Sequence, residues 1–397
     1  MLRRLNADTS WLLQVPVVDG QRTAAEAAGT PTYNIVIDPW LAPSRQVDYH
    51  PLFSAQTRGE EASYASLSAL SQALSHHTLE ASARERTQGG ARTEGGGGGK
   101  ADDDDNDVDR DTAAIKGNRI DAILISHPFT DHAHPETLWD LPQVQSGPID
   151  IFCTKQSHKA VAALLDKRRG GAKESFRLRL LDTVDEEFND RTRDESLTTL
   201  LNHQQDGLPR GLRLLRLPAK ESWTYGPAWA DLHSGVAIVW RTSLGKTSSI
   251  VYSPHGTLAK SIPDVLATAD ARVLIQSFDR QSLPLFALMT GPVALGYEAA
   301  LSCYDGKYGN SSIVVGADPQ SAARLYRPTM LLRTHDEHKE ARGLVGRIIS
   351  RSSASVEDVQ REVRRRRQGA QSTDCNDAER FDVIVRDLKV GQSAAVN

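Results

Sequence analysis

The stretch "ILISHPFTDHAHPETL", residues 123–138, concentrates His127, Asp131, His132 and His134 behind an apolar run. Imidazole nitrogen and carboxylate oxygen both bind a borderline-soft dication such as zinc, at about 2.0–2.2 Å. Residues 127 and 129 of an extended stretch point to one side, and Asp131 and His132 come where the chain turns toward the helical "PETLWDL". Phe129, in the middle of the knot, has no donor to offer. Partners must come from elsewhere, and each candidate sits at the end of an apolar run: His233 before "VAIVW", His255 after "SIVYSP", His335 and His338 after "MLLRT". A lone histidine at a strand end is ordinary. Several such ends in a chain with 12 histidines point to a shared metal site.

The elements that must position these groups are short β-branched runs at 34–37, 122–126, 236–240, 249–252, 273–276, 312–316 and 330–334. Continuous apolar strands of this length are covered on both faces. Helical patterns occur at 157–168, 292–304, 318–326 and 355–367, the last with Ser355 as N-cap and acids in its first turn. A further strand is expected over Trp11–Val15. Strands covered by helices predict a layered α/β fold, with sites assembling at strand ends along one sheet edge. Asp38, in "DPWL", is expected to cap a turn below that edge, and the apolar segment 278–292 to form a loop walling it.

The chain has 397 residues, a formal net charge of −4 and 39% apolar residues. That charge calls for neither nucleic acid nor an anionic membrane as partner, and the four arginines at 364–367 read as cations in a helix's last turn. No run approaches the ~20 apolar residues of a membrane span. Cys153, Cys303 and Cys375 form no CxxC pair, which suits free thiols in a reducing compartment and argues against thiolate zinc. A soluble, cytoplasmic protein is expected. Residues 80–118 carry five consecutive glycines and four consecutive aspartates, a composition with almost nothing to bury, and are read as a disordered insertion. The acidic run lacks the alternating ligands and closing Glu of a calcium loop. His76 and His77, beside the insertion, read as surface residues. One domain is expected over 1–79 and 119–397.

The order of these pieces resembles the metallo-β-lactamase superfamily, whose motif is HxHxDH, and within it the lactonase-like branch and uncharacterised fungal members with "SHPFTDH" and "PHG". The resemblance covers roughly 10–55 and 119–350. It implies a four-layer αββα sandwich with a metal cleft along one edge. By it, His127, Asp131 and His132 match the motif, Phe129 stands in place of its second histidine, His233 matches the third histidine of the first metal site, and His255 replaces the carboxylate that bridges two metals. His335 matches the final histidine, with His338 as competitor. The second site keeps a donor at every position, so the resemblance with these changes implies one ion, zinc with manganese or iron as alternatives, held by Asp131, His132, His255 and His335. Asp131 or His127 would orient water or act as acid/base. The implied activity is hydrolysis of a lactone, ester or phosphoester, with a small-molecule substrate and neither nucleic acid nor membrane as partner. The alternative is an inactive binding or scaffold protein on the same fold.

Overall fold

The computed structural model describes residues 1–16, 32–48, 50, 52, 54–75, 119–141, 148–167, 176–185, 188, 196–219, 232–242, 244–283, 291–308, 325–370 and 383–396. The insertion at 80–118, His76, His77, the expected strand at 312–316 and most of the expected helix at 318–326 lie outside them.

Two seven-stranded sheets form the body. The first runs in the order Ser393–Ala394, Leu2–Arg4, Trp11–Pro16, Thr32–Ile37, Ala122–Ile125, Ile149–Cys153, Phe176–Leu180. The second runs Ile384–Arg386, Met330–Arg333, Ala271–Gln276, Thr247–Ser253, Gly235–Arg241, Leu212–Leu217, Asp182–Thr183.

Side chains alternate across each strand, and both sets are apolar. Trp11, Leu13, Ile35, Ile37 and Leu124 of the first sheet meet Leu214, Ile238, Ile250, Tyr252, Val273 and Ile275 of the second in one buried layer. The intervening residues Leu12, Val36, Ile123, Ile125 and Ile151 face outward and pack on Leu67, Leu70, Leu138, Val161 and Leu165. On the far side, Ala237, Val239, Val251, Leu274 and Leu331 pack on Ala300, Leu301, Val359 and Val363. Helices therefore cover the outer face of each sheet, and the expected four-layer αββα sandwich is the one observed. Both faces of the central strands are dry, which is why their sequences read as unbroken apolar runs rather than alternating ones.

Individual elements follow local chemistry. The helix Lys155–Asp166 starts where Thr154 Oγ1 accepts from Ser157 N. The helix Val356–Ala370 is capped by Ser355, whose Oγ accepts from Asp358 N at 3.1 Å. The helix read over 292–304 divides: Gly291–Leu295 is a strand and Tyr297–Asp305 a helix. Between them Gly296 has φ 74°, where an added Cβ would lie 2.8 Å from Glu298 Oε2. The segment expected as a loop at 278–292 holds a strand at Arg280–Leu283 that pairs with Gly291–Leu295 and Ser350–Ser352. The N-terminal strand Leu2–Arg4 was not expected. It contains only "LRR" and exists because the strands on either side, Trp11–Pro16 and Ser393–Ala394, supply its hydrogen bonds. No helix of the described residues is long and apolar enough to cross a membrane.

The parallel strands decide where chemistry collects. Thr32–Ile37, Ala122–Ile125 and Ile149–Cys153 run parallel in the first sheet. Thr247–Ser253, Ala271–Gln276 and Met330–Arg333 run parallel in the second. Asp38, Ser126 with His127, His255, and Thr334 with His335 follow the C-terminal ends of four of these strands.

Candidate metal centre

Asp38 is the anchor. It follows Ile37 with φ 45°, a left-handed turn, and is fully buried. Its carboxylate accepts from Ser126 N at 2.7 Å, from Ser126 Oγ, from Tyr252 OH at 2.8 Å and from His132 Nδ1 at 2.7 Å. The turn expected of Asp38 is present, and its side chain also links both sheets to His132. With a proton on Nδ1, His132 turns its Nε2 to the other side, where that nitrogen can carry a second proton or bind a metal ion. That nitrogen lies 3.3 Å from His255 Nε2 and 3.6 Å from Asp131 Oδ1.

His335 is oriented in the same way. Its Nδ1 donates to Asp8 Oδ1 at 2.8 Å, which turns its Nε2 toward Asp131 Oδ2, 3.9 Å away. The residue adopts φ 60°, held by a backbone bond from its N to Asp8 O at 2.9 Å. The turn it begins is anchored by Asp336, whose carboxylate accepts from Phe278 N, Asp279 N, Ser277 Oγ and Arg333 Nε.

Asp131 sits in the turn after Phe129, where His132 N and Ala133 N both donate to Phe129 O. Thr9 Oγ1 donates to its carbonyl at 2.7 Å. Asp131 Oδ2 accepts from Lys339 Nζ at 3.1 Å, whereas Oδ1 is buried with no hydrogen-bond partner. Burial would raise its pKa, but Lys339 and His132 outweigh that and hold it at about 2. For His132, burial opposes the charged form, yet Asp131 and Asp38 raise its pKa above the usual imidazole value. Burial pushes His127 and His255 well below that value, so both are neutral at neutral pH.

The donors converge in two overlapping groups, His127–His132–His255 and Asp131–His132–His335, each with ligand atoms within 4.8 Å of one another. Four donors around a tetrahedral zinc at 2.0–2.1 Å stand about 3.3 Å apart, the spacing between His132 Nε2 and His255 Nε2. Imidazole nitrogens and an unpartnered carboxylate oxygen buried together call for positive charge among them, either a proton on His132 or a bound cation. The residues present therefore fit a dication of the zinc class.

The remaining candidates are placed as follows. His127 Nδ1 lies 2.7 Å from Ser126 Oγ and its Nε2 3.1 Å from Leu232 O, so a proton on Nε2 serves that carbonyl. His233 is fully buried, but its Nδ1 faces His255 O at 3.3 Å and its Nε2 faces Pro292 O at 2.9 Å. It supports the His255 turn and belongs to neither convergent group. His338 is exposed and lines the mouth of the pocket. Phe129 lines the same pocket, its ring edge-on to His255 at 6.3 Å between centroids. His134 lies off the centre, stacked on Trp40 at 5.7 Å. Cys153 and Cys303 are free, buried thiols outside both groups.

The sequence reading missed two residues, Asp8 and Lys339. Lys339 Nζ is buried between Asp8 Oδ2 at 2.7 Å and Asp131 Oδ2 at 3.1 Å. Nothing in "HDEHKEAR" marks that lysine, since its partners come from residues 8 and 131. The only available signal was Asp8 in the polar "NADTS" loop leading into the Trp11 strand.

The pocket above these groups encloses about 460 Å³ and is lined by Asp48, Phe129, Asp131, His255, His335 and Lys339 among others. Asp48 accepts from Thr130 N and Oγ1, and burial together with Asp131 raises its pKa.

Two histidines off the centre predict a pH dependence of stability. Burial pushes His134 down to about 4 from 6.5 and also lowers His233. Between those limits the unfolded chain binds protons that the folded chain does not, so stability is full above pH 6.5 and is lost as pH falls through His134's value. A shift of ~2.5 units corresponds to roughly 3 kcal/mol. Thermal unfolding midpoints are expected to fall from pH 7 to pH 4.5, with a shallower fall in His134→Phe. An identical slope in the variant would remove His134 as the source.

No family model matches the sequence, and no curated protein matches it. Solved structures similar to the chain include a long-form RNase Z from yeast, with 13% identity, TM-score 0.37, and 84% of this chain but 37% of that chain covered. A second is YhfI from Bacillus subtilis, described as a metallo-β-lactamase fold protein, with 13% identity, TM-score 0.33, and 69% and 77% covered. A third is the short form of human tRNase Z, with 16% identity, TM-score 0.27, and 54% and 71% covered. The chain thus spans well under half of the yeast enzyme's length. The expectation of a small-molecule substrate and no nucleic acid is corrected by this set. Two of the three structures are named as RNase Z enzymes, long-form RNase Z and short-form tRNase Z.

Proposed function

We propose that the chain is a metal-dependent hydrolase of ester bonds, phosphoester or carboxylic (lactones included), working with a single ion. Asp131, His132 and His335 would hold the ion, with His255 as a fourth, exchangeable donor. Imidazole-rich donors favour zinc over manganese or iron. One observation carries the reading. His132 and His335 each have Nδ1 tied to a buried carboxylate, Asp38 and Asp8, so that both Nε2 atoms are aimed toward Asp131. Such carboxylate–histidine pairs orient metal ligands and raise their basicity.

Bound there, a zinc-class ion supplies Lewis acidity and lowers the pKa of water toward about 7. The chain's own groups do the rest. Lys339 holds Asp131 Oδ2, which leaves Oδ1 facing His132 Nε2 at 3.6 Å. His127, neutral and buried, can take a proton at the nitrogen that faces Ser126 or release the one it gives Leu232 O. Phe129 walls one side of the pocket and limits water there. Phe129 also favours the rival reading, a binding protein on this fold, because it replaces a donor.

Purified full-length protein should hydrolyse at least one member of a panel spanning bis-p-nitrophenyl phosphate, a structured RNA, p-nitrophenyl butyrate and γ-butyrolactone. Activity should vanish with a chelator and return with zinc, while elemental analysis separates zinc from manganese and iron. Bound metal without turnover across the panel would leave the binding-protein reading; absence of bound metal would end both.

A further inference from the structure

Lys339 is a buried cationic side chain at this site. Its side chain is 8% exposed, its ammonium is 2.7 Å from Asp8 Oδ2 and 3.1 Å from Asp131 Oδ2, and it lies 5.2 Å from the centroid of the Trp40 ring. A lysine taken out of water persists only where opposite charges replace its hydration. Here two carboxylates and an aromatic face do so. Asp8 also holds His335 Nδ1, so ammonium, Asp8, His335 and Asp131 form a closed ring of contacts around the second donor group.

We infer that Lys339 is the site's built-in second cation. Its ammonium takes Asp131 Oδ2, an oxygen that a second metal ion would share, and so limits the centre to one ion. This inference rests on the metal-centre reading above. Asp131 is used asymmetrically, with Oδ2 on the ammonium and Oδ1 buried without a hydrogen-bond partner. Donors for another ion are present, since His127, His132 and His255 also converge. A second dication would also meet a fixed positive charge within ångströms in a buried site, where repulsion is weakly screened. Lys339 is thus a positioning residue that sets metal stoichiometry.

The test is metal content rather than turnover. Full-length chains are equilibrated with excess zinc, desalted and measured by elemental analysis, with cobalt spectra reporting the coordination number. Wild type and Lys339→Arg, which keeps the charge, are expected to hold one ion per chain. Lys339→Met is expected to hold two, a doubling. If Lys339→Met fails to fold by circular dichroism, Lys339→Gln, which keeps hydrogen-bond donors without the charge, decides and is also expected to hold two ions. Equal content in wild type and the charge-free variant, at any value, overturns the inference, as does a wild type holding two. A wild type without zinc beside a variant holding one ion overturns the one-ion limit and removes the metal-dependent reading with it.

Discussion

Asp38→Ala is expected to destabilise the fold by about 3–5 kcal/mol and to weaken metal binding 10–100-fold. The carboxylate is fully buried and accepts from Ser126 N, Ser126 Oγ, Tyr252 OH and His132 Nδ1. Alanine strands all of these donors, and each buried donor left unsatisfied costs about 1–3 kcal/mol. It also places a side chain without local hydrogen-bonding capacity at φ 45°, a region that costs most residues about 1–2 kcal/mol. The loss of affinity has a separate cause. Without the Asp38 acceptor, the Nδ1 proton of His132 no longer fixes the tautomer, and Nε2 is no longer held toward Asp131 and His255. Urea unfolding of the metal-free protein and a chelator competition titration measure the two effects independently. Asp38→Asn, which keeps the shape and one acceptor oxygen, is expected to recover part of the stability and less of the affinity. A change below about 1 kcal/mol with unaltered affinity would show that Asp38 serves its turn alone.

His132→Ala should reduce bound metal to background, a loss beyond the ~100-fold expected for an outer partner. His132 is the donor common to both convergent groups, and it is enclosed by His127, His255 and His335 with ring centroids 4.9, 5.3 and 5.5 Å away. The paired measurement is His233→Ala. Its ring nitrogens face the carbonyls of His255 and Pro292, so its removal should cost about 1–3 kcal/mol of stability and leave metal content at the wild-type value. Elemental analysis of the two purified variants, each checked for folding by circular dichroism, gives the comparison. Full metal content in His132→Ala would remove this centre from consideration. Depleted metal in His233→Ala with intact folding would bring that histidine back among the ligands.

Much of the framework was legible in the sequence because it is written in local pattern. The runs at 34–37, 122–126, 236–240, 249–252, 273–276 and 330–334 are apolar on both alternating faces, and each is a strand covered on both sides. A layered α/β fold follows from that alone, whereas the two facing sheets were implied only by the resemblance to a known superfamily. Strands less uniform in pattern were not expected, among them Leu2–Arg4 and the Arg280–Leu283 and Gly291–Leu295 pair. Their hydrogen-bond partners are distant, up to Ser393–Ala394 for the first, and local pattern carries no information about partners.

At the centre, the sequence by itself determined which donors were available: histidines and aspartates at strand ends, brought to one edge by parallel strands. It could not determine their orientation. His233 and His335 look alike in the sequence, one beside each of two apolar runs. Tertiary structure turned the first onto backbone carbonyls and the second onto Asp8, and only the second keeps a nitrogen aimed at Asp131. Lys339, unremarkable between a histidine and a glutamate, became a buried cation because residues 8, 40 and 131 surround it. A side chain's type fixes which bonds it can make. Which nitrogen faces the centre and which charge is compensated depend on atoms hundreds of residues away in the chain, so those features arise only on folding.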